Sequence, residues 1–257
     1  MRSREEFDQV QRLVEQGLND CQISRATGIA RTTVRDWRLK GREDWWPGKG
    51  FEDHWRRGAR YYDDSRCPVC SRRSLDSREY AYLLAMYLGD GQLSPTPRGV
   101  YKLRIFLDQR YIAIIAECIR SVVVVHGRDS IGFIEREECV ELYSYWKHWS
   151  CLFPQHGPGR KHERRIRLTE WQREIVSAHP DRFLRGLVHS DGWRGVNRVN
   201  GTDYPRYQFK NESFDIRGLF TWACDLSGVG WRSSGNTISV ARFEDVLKLD
   251  LVVGPKA

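Results

Sequence analysis

Leu83-Leu-Ala-Met-Tyr-Leu-Gly-Asp-Gly91 and Leu184-Arg-Gly-Leu-Val-His-Ser-Asp-Gly192 are the two stretches of the sequence that decide its fold. Each is an apolar segment that ends in Asp-Gly, the pattern of a helix that stops at a glycine. The two aspartates, Asp90 and Asp191, are 101 positions apart (191 − 90). Repetition at this spacing predicts a domain that is duplicated within one chain.

Similar elements follow each Asp-Gly along the chain. After Asp191 the pattern predicts strands near 193–199 and 206–210, a helix over 214–226, strands near 231 and over 237–241, and a helix from 243. After Asp90 it predicts strands at 92–93 and 100–107, a helix over 111–123, strands over 131–136 and 140–146, and a closing basic loop over 157–167. Both halves read αββαββα. We therefore predict an α+β fold with a pseudo-twofold pair of subdomains, residues 77–175 and 176–257.

The two stretches resemble the LAGLIDADG motif of homing endonucleases, as LLAMYLGDG in the first copy and LRGLVHSDG in the second. The resemblance covers roughly residues 77–257. It implies a pseudo-symmetric monomer that cuts double-stranded DNA at a specific site, with one aspartate serving each strand. The chain departs from the motif at its third position, Ala85 in the first copy, and at its sixth, Leu88 in the first copy and His189 in the second. Both aspartates are kept.

Small residues recur four positions apart in both motif helices: Ala85 and Gly89, then Gly186 and Ser190. That spacing places them on one helix face, so the two helices can approach closely and bring their C-terminal aspartates together. Two carboxylates at two negative helix ends repel each other unless a cation neutralises them. Mg²⁺ prefers oxygen ligands. We therefore predict two or more Mg²⁺ ions at Asp90 and Asp191, with Gly89 and Ser190 as further metal-site residues.

The chemistry that these residues imply is metal-assisted hydrolysis of a phosphodiester. The family resemblance also places basic residues near the metals. By repeat symmetry we assign this catalytic role to Lys161, 71 positions after Asp90 (161 − 90), and to Lys256, 65 positions after Asp191 (256 − 191). The loop 157–167 holds five basic residues and one acidic residue. The alternative is that this loop only contacts phosphates and that Lys161 has no catalytic role.

Side chains alternate along a strand, so one face of each sheet can meet DNA while the other packs on helices. The candidate DNA-contacting residues of the strands and the basic loop are Tyr101, Lys102, Arg104, Arg160, Arg164, Arg165, Arg206, Gln208 and Lys210. The sequence leaves open which face the strand residues occupy.

Residues 1–40 have the pattern of a helix-turn-helix unit. Gly17 ends a first amphipathic helix, Asn19 or Asp20 caps a second, and a third basic helix follows the turn at 27–29. The stretch 17–38 resembles the helix-turn-helix of resolvases and many bacterial regulators. Its candidate DNA-contacting residues are Arg31, Thr32, Thr33, Arg35 and Arg38. The alternative interpretation is a plain three-helix bundle with a solvated basic face.

Residues 41–76 read as a linker or irregular extension that contains Cys67-Pro-Val-Cys70. C-x-x-C is one half of a zinc site, and a closed site needs two more ligands. No second C-x-x-C follows, and upstream the chain offers His54 and Cys21. Zn²⁺ at Cys67 and Cys70 is thus one prediction, and a Cys-Pro turn without metal is the other. The remaining cysteines, Cys118, Cys139, Cys151 and Cys224, are interpreted as core or surface thiols.

The composition agrees with a nucleic-acid partner. The 257 residues include 42 Lys and Arg against 34 Asp and Glu, a net charge of +8, and basic chains favour such partners. Apolar runs such as residues 122–125 are far shorter than the roughly 20 residues that span a bilayer, so no membrane partner is expected. Because charged residues follow Met1, we expect no signal peptide. Seven thinly spread cysteines are typical of a reducing compartment. We expect a location in the bacterial cytosol or nucleoid.

Two classes of function follow. The first is a site-specific, Mg²⁺-dependent double-strand DNA endonuclease with an added helix-turn-helix module. The second is a catalytically silent LAGLIDADG and helix-turn-helix transcription regulator. The two retained aspartates favour the nuclease, because a protein that only binds DNA gains nothing from a repulsive carboxylate pair beside phosphates.

Overall fold

The computed structural model describes residues 4–40, 67–71, 73–96 and 99–254. The chain forms two compact units, Met1–Asp63 and Asp64–Ala257. Lys256 and His54 lie outside the described residues. Within the described residues, no helix is both long and apolar enough to cross a membrane.

The smaller unit contains three helices where the sequence predicts them: α1 (Arg4–Glu15), α2 (Asp20–Thr27) and α3 (Arg31–Lys40). The Asn19 side chain caps α2 and forms a capping box with Gln22, while Gly28 ends α2 at a φ of 68° that favours glycine. The helices enclose a small core of six buried residues: Phe7, Val10, Ile23, Ile29, Val34 and Trp37. The three helices therefore share one small apolar core.

The larger unit begins with α4 (Pro68–Ser71) and then repeats one arrangement twice. The first copy contains α5 (Ser77–Asp90), β1 (Gly91–Pro95), β2 (Tyr101–Asp108), α6 (Ile112–His126), β3 (Gly132–Glu135) and β4 (Cys139–Trp146). The second contains α9 (Pro180–Asp191), β5 (Gly192–Val199), β6 (Thr202–Lys210), α10 (Phe214–Leu226), β7 (Arg232–Ser234), β8 (Thr237–Val240) and α11 (Phe243–Val253). Between the copies lie α7 (Trp149–Leu152), a 3₁₀ turn (Lys161–Glu163) and α8 (Glu170–Ala178).

Both sheets are antiparallel and share one strand order, β1-β2-β4-β3 in the first and β5-β6-β8-β7 in the second. Buried residues alternate along the central strands, as at Leu103, Ile105 and Leu107 in β2, so each sheet packs one face against helices. The predicted α+β fold of two repeats is confirmed. The seventh element differs between copies: α11 is a full helix, whereas α7 has four residues. The predicted boundary after residue 175 falls inside α8.

The two motif helices, α5 and α9, pack against each other at the centre of the larger unit. Nine consecutive residues of α5, Tyr80–Leu88, are buried, as in a helix that is surrounded on all sides. A Cβ at Gly186 would lie 2.6 Å from the Ala85 Cβ, and one at Gly89 would overlap the Ser190 side chain. The small residues therefore set the close approach of the helices, as the sequence predicted.

Buried ion pairs join α5, α6 and α9 on the other side of this helix pair. Arg182 on α9 donates hydrogen bonds to Glu117 on α6, at 2.5 Å, and to Glu79 on α5, at 3.3 Å. Arg185 also donates to both carboxylate oxygens of Glu117, at 2.9 and 2.8 Å. Burial raises the pKa of Glu117, but hydrogen bonds and charge from Arg185 and Arg182 outweigh it and leave that pKa lowered. Glu117 is therefore held as a carboxylate between two guanidinium groups.

Candidate active site

Asp90 and Asp191 are the last residues of α5 and α9, and each is followed directly by the first residue of a strand. A Cβ at Gly91 would lie 2.5 Å from the Cα of the residue four positions earlier, and one at Gly192 would lie 2.6 Å from its counterpart. Only glycine permits a helix to pass directly into a strand here. The Asp-Gly pair therefore places each carboxylate where a central helix meets its sheet.

Each aspartate lines its own cavity. Each cavity is also lined by the residue that comes directly before the other aspartate in the sequence. The larger cavity, about 940 Å³, is lined by Asp191 and Gly89. The smaller, about 260 Å³, is lined by Asp90 and Ser190. The structure therefore groups the four predicted metal-site residues as two crossed pairs, Asp191 with Gly89 and Asp90 with Ser190.

The larger cavity carries polar and basic groups around Asp191. Asn211, which directly follows β6, donates a hydrogen bond from Nδ2 to Asp191 Oδ2 at 2.7 Å. Lys210 and Lys161 line the same cavity. Asp191 thus has an amide donor at hydrogen-bond distance and shares its cavity with two lysines. The cavity thus joins an acidic group to several cationic ones, a combination that suits a phosphate substrate and its counter-ion.

Lys161 occupies the C-terminal end of α5. Its Nζ donates to the backbone oxygens of Tyr87, Leu88 and Gly89, at 2.5, 2.9 and 2.9 Å. An ammonium at this position neutralises the negative end of the helix. Burial lowers the pKa of Lys161 to about 8, although Asp90 and Asp191 act in the opposite direction. The sequence placed Lys161 at the metal site by symmetry, and the structure places it beside both aspartates.

The smaller cavity has a different set of charges. Asp108 and Arg110 line it with Asp90, and Arg110 binds the Asp108 carboxylate with its Nη2 at 2.6 Å. His189, the unusual sixth residue of the second motif, also lines it, and its Nδ1 lies 2.9 Å from the hydroxyl of Tyr82. Lys161 acts on both aspartates, whereas Lys210 and Asn211 line the cavity that holds Asp191. Lys256, which the repeat symmetry pairs with Asp191, lies outside the described residues.

The donor set fits a hard divalent cation. Both cavities offer a carboxylate and lie at helix C-termini, where backbone oxygens point outward. Mg²⁺, Mn²⁺ and Ca²⁺ are bound by such oxygen ligands. In the larger cavity the Gly89 oxygen accepts a hydrogen bond from Lys161. A cation that used this oxygen would therefore replace or share one of the Lys161 contacts.

The solved structures that resemble this chain include LAGLIDADG proteins. One is the homing endonuclease I-DmoI in complex with DNA and Mn, with TM-score 0.46 and 14% identity over 70% of this chain and 98% of that chain. Another is the LAGLIDADG meganuclease I-AabMI bound to uncleaved DNA, with TM-score 0.43 and 13% identity over 67% and 82% of the two chains. A third is the N-terminal LAGLIDADG domain of DUF199/WhiA, with TM-score 0.44 and 12% identity over 75% and 89%. No protein-family model and no curated protein matches the chain.

The first sheet carries Lys102 and Arg104 on the face opposite its helices, since the alternating residues Leu103 and Ile105 are buried. Tyr101 lies on the other face of the strand, and its half-buried ring packs against the core. The Lys102 ammonium is paired with Glu141 at 2.9 Å. Arg104 donates to Ser94 at 2.9 Å. Tyr101 lines the larger cavity, so it stays a candidate contact beside Asp191 and not on the outer face of the sheet.

The second sheet has the same alternation. Tyr207 and Phe209 are buried, so Arg206, Gln208 and Lys210 lie together on the opposite face. Trp193, 48% exposed, pairs with Gln208 across the strands and lies flat over Gly195, where any Cβ would overlap its ring. This face therefore combines three polar or basic side chains with an exposed aromatic ring.

The basic loop and α3 hold the remaining predicted DNA contacts. Arg160 and Arg165 are exposed, whereas Arg164 is half-buried and donates to the backbone oxygens of Gly157, Pro158 and Gly159, so it shapes the loop. On α3, Arg31, Thr32 and Arg35 are exposed and Thr33 is half-buried. Arg38 pairs with Asp20 at 3.2 Å and donates to the Leu18 oxygen. Arg164 and Arg38 therefore have structural partners within their own units.

Cys67 and Cys70 lie beside two residues that the sequence analysis did not connect with them, His148 and Cys151. The ligand atoms of all four lie within 4.8 Å of one another. The sequence predicts Cys151 to be a core or surface thiol, and the structure places its Sγ 3.6 Å from Cys70 Sγ. The spacing His148-Trp-Ser-Cys151 is itself a two-ligand pattern, and it is the signal that could have completed the site.

Proposed function

We propose that this chain is a divalent-metal-dependent endonuclease that cuts both strands of duplex DNA at a specific site. The observation that carries the proposal is the pair of crossed cavities at the adjacent ends of α5 and α9. Each combines one aspartate with the residue that precedes the other aspartate. Two acidic sites, one for each strand, are what the cleavage of two antiparallel strands requires.

The metal would be held by the Asp90 and Asp191 carboxylates, with Gly89 and Ser190 as the neighbouring residues. A divalent cation bound there activates the attacking water and stabilises the departing 3′-oxygen. Asn211 holds the Asp191 carboxylate in place through its 2.7 Å hydrogen bond. Lys161 and Lys210 supply positive charge to the phosphate in the larger cavity.

The outer faces of the two sheets would bind the DNA on either side of the cavities. Phosphate contacts give most of the affinity, and base contacts in the major groove give the sequence preference. Arg206 and Gln208 have side chains that can read base edges, and Arg104 is their counterpart on the first sheet. The helix-turn-helix unit adds a second DNA-binding module, with Arg31 and Arg35 as its exposed basic residues.

One observation favours the alternative of a DNA-binding regulator that does not cut. Lys161 hydrogen-bonds the Gly89 oxygen, which lies in the same cavity as Asp191, and its ammonium is also bound to two further backbone oxygens. A protein that never binds metal could use Lys161 in this way to neutralise the helix end permanently. The two functions differ in a single measurable property, which is cleavage after metal is supplied.

The test is a selection from a randomised duplex library with the full-length chain. Complexes are formed in Ca²⁺, recovered, and then transferred to Mg²⁺ or Mn²⁺, and cut ends are sequenced. We expect cut ends at one common site, and a chelator should prevent them. Specific binding with no cut ends in Mg²⁺ or Mn²⁺ would refute the endonuclease and support the regulator.

The sheet surface makes a separate prediction for binding. Arg206→Ala should weaken DNA binding and reduce the slope of log Kd against log salt by about one, since each phosphate contact contributes about 0.9 to that slope. The matched control is Arg198→Ala in the same sheet. Arg198 is exposed but pairs with Asp203 beside the hairpin turn. Strand alternation places this pair on the opposite face of the sheet from Arg206. Fluorescence anisotropy over a salt series measures both variants, and equal slopes would contradict the assigned face.

A further inference from the structure

The segment that precedes the first motif helix has little apolar contact to hold it in place. The four residues of α4, Pro68–Ser71, are not buried, and Cys67 just before them is fully buried. Cys67 and Cys70 nevertheless lie beside α7, which follows the first sheet and whose Trp149 and Leu152 are in the core. Something other than hydrophobic packing is needed to fix this segment.

We propose that Cys67, Cys70, His148 and Cys151 form a closed structural zinc site. Three thiols and one imidazole are a ligand set that zinc prefers, and carboxylates are absent from the cluster. The four ligands come in two pairs, C-x-x-C and H-x-x-C, the short spacings that structural zinc sites use. This proposal concerns different residues from the proposed nuclease site and does not depend on it.

Three distances within the cluster match the edges of a zinc tetrahedron. Bond lengths of about 2.3 Å to sulfur and about 2.0 Å to nitrogen give edges of about 3.8 Å between two sulfurs and about 3.5 Å between sulfur and nitrogen. The observed distances are 3.6 Å from Cys70 Sγ to Cys151 Sγ, 3.5 Å from Cys70 Sγ to His148 Nδ1, and 3.6 Å from Cys151 Sγ to the same nitrogen. Three ligands are therefore already spaced as around one zinc ion, and the fourth, Cys67, lies within 4.8 Å of them.

The same distances argue against a disulfide. Two bonded sulfurs lie about 2.05 Å apart, whereas Cys70 Sγ and Cys151 Sγ are 3.6 Å apart and both cysteines are free. The backbone N–H of Cys70 also points at Cys67 Sγ at 3.4 Å. This contact fixes the position of the Cys67 sulfur within the turn. The cluster therefore has the features of a metal-binding turn.

The role that follows is structural. Four protein ligands leave no open position for water or substrate, unlike a catalytic zinc site. The metal would connect residues 67–71, at the start of the larger unit, to residues 148–151, which follow β4. His148 also packs edge-on against Trp146, at 5.5 Å between ring centroids. Loss of zinc should therefore change the surroundings of this tryptophan.

The experiment measures zinc bound to the purified full-length chain by mass spectrometry of the metal. We expect about one equivalent per chain, since a four-ligand site of this type binds zinc tightly. Cys70→Ser and Cys151→Ser should each reduce it at least about tenfold, because a lost ligand opens the site. The matched controls are Cys139→Ser, a half-buried cysteine outside the cluster, and Asp90→Asn with Asp191→Asn, all of which should keep the zinc.

A second measurement does not depend on the variants folding. The wild-type chain, stripped of zinc and loaded with Co²⁺, should give the visible absorption bands of tetrahedral cobalt bound to thiolates. Unchanged metal content in Cys70→Ser, an absence of these bands, or an intact-mass loss of two hydrogens from a Cys70–Cys151 disulfide would each overturn the proposal. Iron instead of zinc in the purified chain would overturn the choice of metal.

Discussion

Asp90→Asn combined with Asp191→Asn should lower the rate of DNA cleavage by at least about 10³-fold, because the stabilisation of several kcal/mol that bound metal gives to the transition state is lost. Each single substitution should stop cleavage of one strand, so that a supercoiled plasmid carrying the selected site is nicked and not linearised. DNA affinity should stay equal or rise, since each change removes a negative charge near phosphates. Agarose-gel analysis measures cleavage, and fluorescence anisotropy measures DNA affinity.

The matched control is Asp129→Asn, an exposed aspartate in the loop before β3, which should leave cleavage unchanged. Asparagine is the appropriate replacement at both catalytic positions. Its amide oxygen can still accept the hydrogen bond that Asn211 donates to Asp191, so the fold at the helix end is preserved. Cleavage at an unaltered rate in the double variant would exclude these aspartates from the reaction, whatever the fate of DNA binding.

Asp90→Asn and Asp191→Asn need not reduce cleavage to the same extent. Asp191 shares its cavity with Lys161, Lys210 and Asn211, whereas Asp90 shares its cavity with the ion pair of Asp108 and Arg110. A more acidic site binds a divalent cation more readily, and a more basic site binds phosphate more readily. We therefore expect the two strands to be cut at different rates in the wild-type chain as well. A time course that resolves nicked and linear products shows this difference directly.

Much of the fold follows from local signals in the sequence. The helix Phe214–Leu226 is predicted with the observed bounds, and local residues set them: the Ser213 side chain caps its start, and Gly228 follows shortly after its end. Between the predicted strands lies Asn200-Gly201, and both residues have the positive φ angles, 49° and 80°, that a two-residue hairpin turn requires. Each of these elements is specified by neighbouring residues, so a single sequence is sufficient.

The parts that sequence analysis missed depend on contacts between distant residues. Cys70 and His148 are 78 positions apart (148 − 70), and nothing in the local pattern of either reveals the other. Tyr101 and Lys102 are neighbours in one strand, and the alternation of the strand places them on opposite faces, which the sequence left open. Lys161 was placed near the metals by symmetry, while its bonds to the end of α5 could be seen only in three dimensions.

Glu117→Gln should destabilise the larger unit by about 3 kcal/mol, because removing one member of a buried ion pair leaves the other charge uncompensated. Glu117 and Arg182 side chains are each 10% exposed, so the loss should be close to that of a buried pair. Arg185, 26% exposed, keeps some access to water, which places the value at the lower end of the usual range. A unit of this size should then unfold about 6–12 °C lower, as followed by thermal circular dichroism.

The pH dependence of stability gives this prediction a second, independent readout. Because Arg185 and Arg182 outweigh burial and lower the pKa of Glu117, its contribution is fully present above the ordinary glutamate pKa and is lost as the pH falls through the folded-state value. The Gln variant should therefore lose less stability than the wild type between neutral and acidic pH. The control is Arg78→Ala, which removes an exposed ion pair with Asp181 and should change stability by no more than about 1 kcal/mol. If Glu117→Gln were as mild as this control, the ion pairs of Glu117 would not stabilise the packing of α5, α6 and α9.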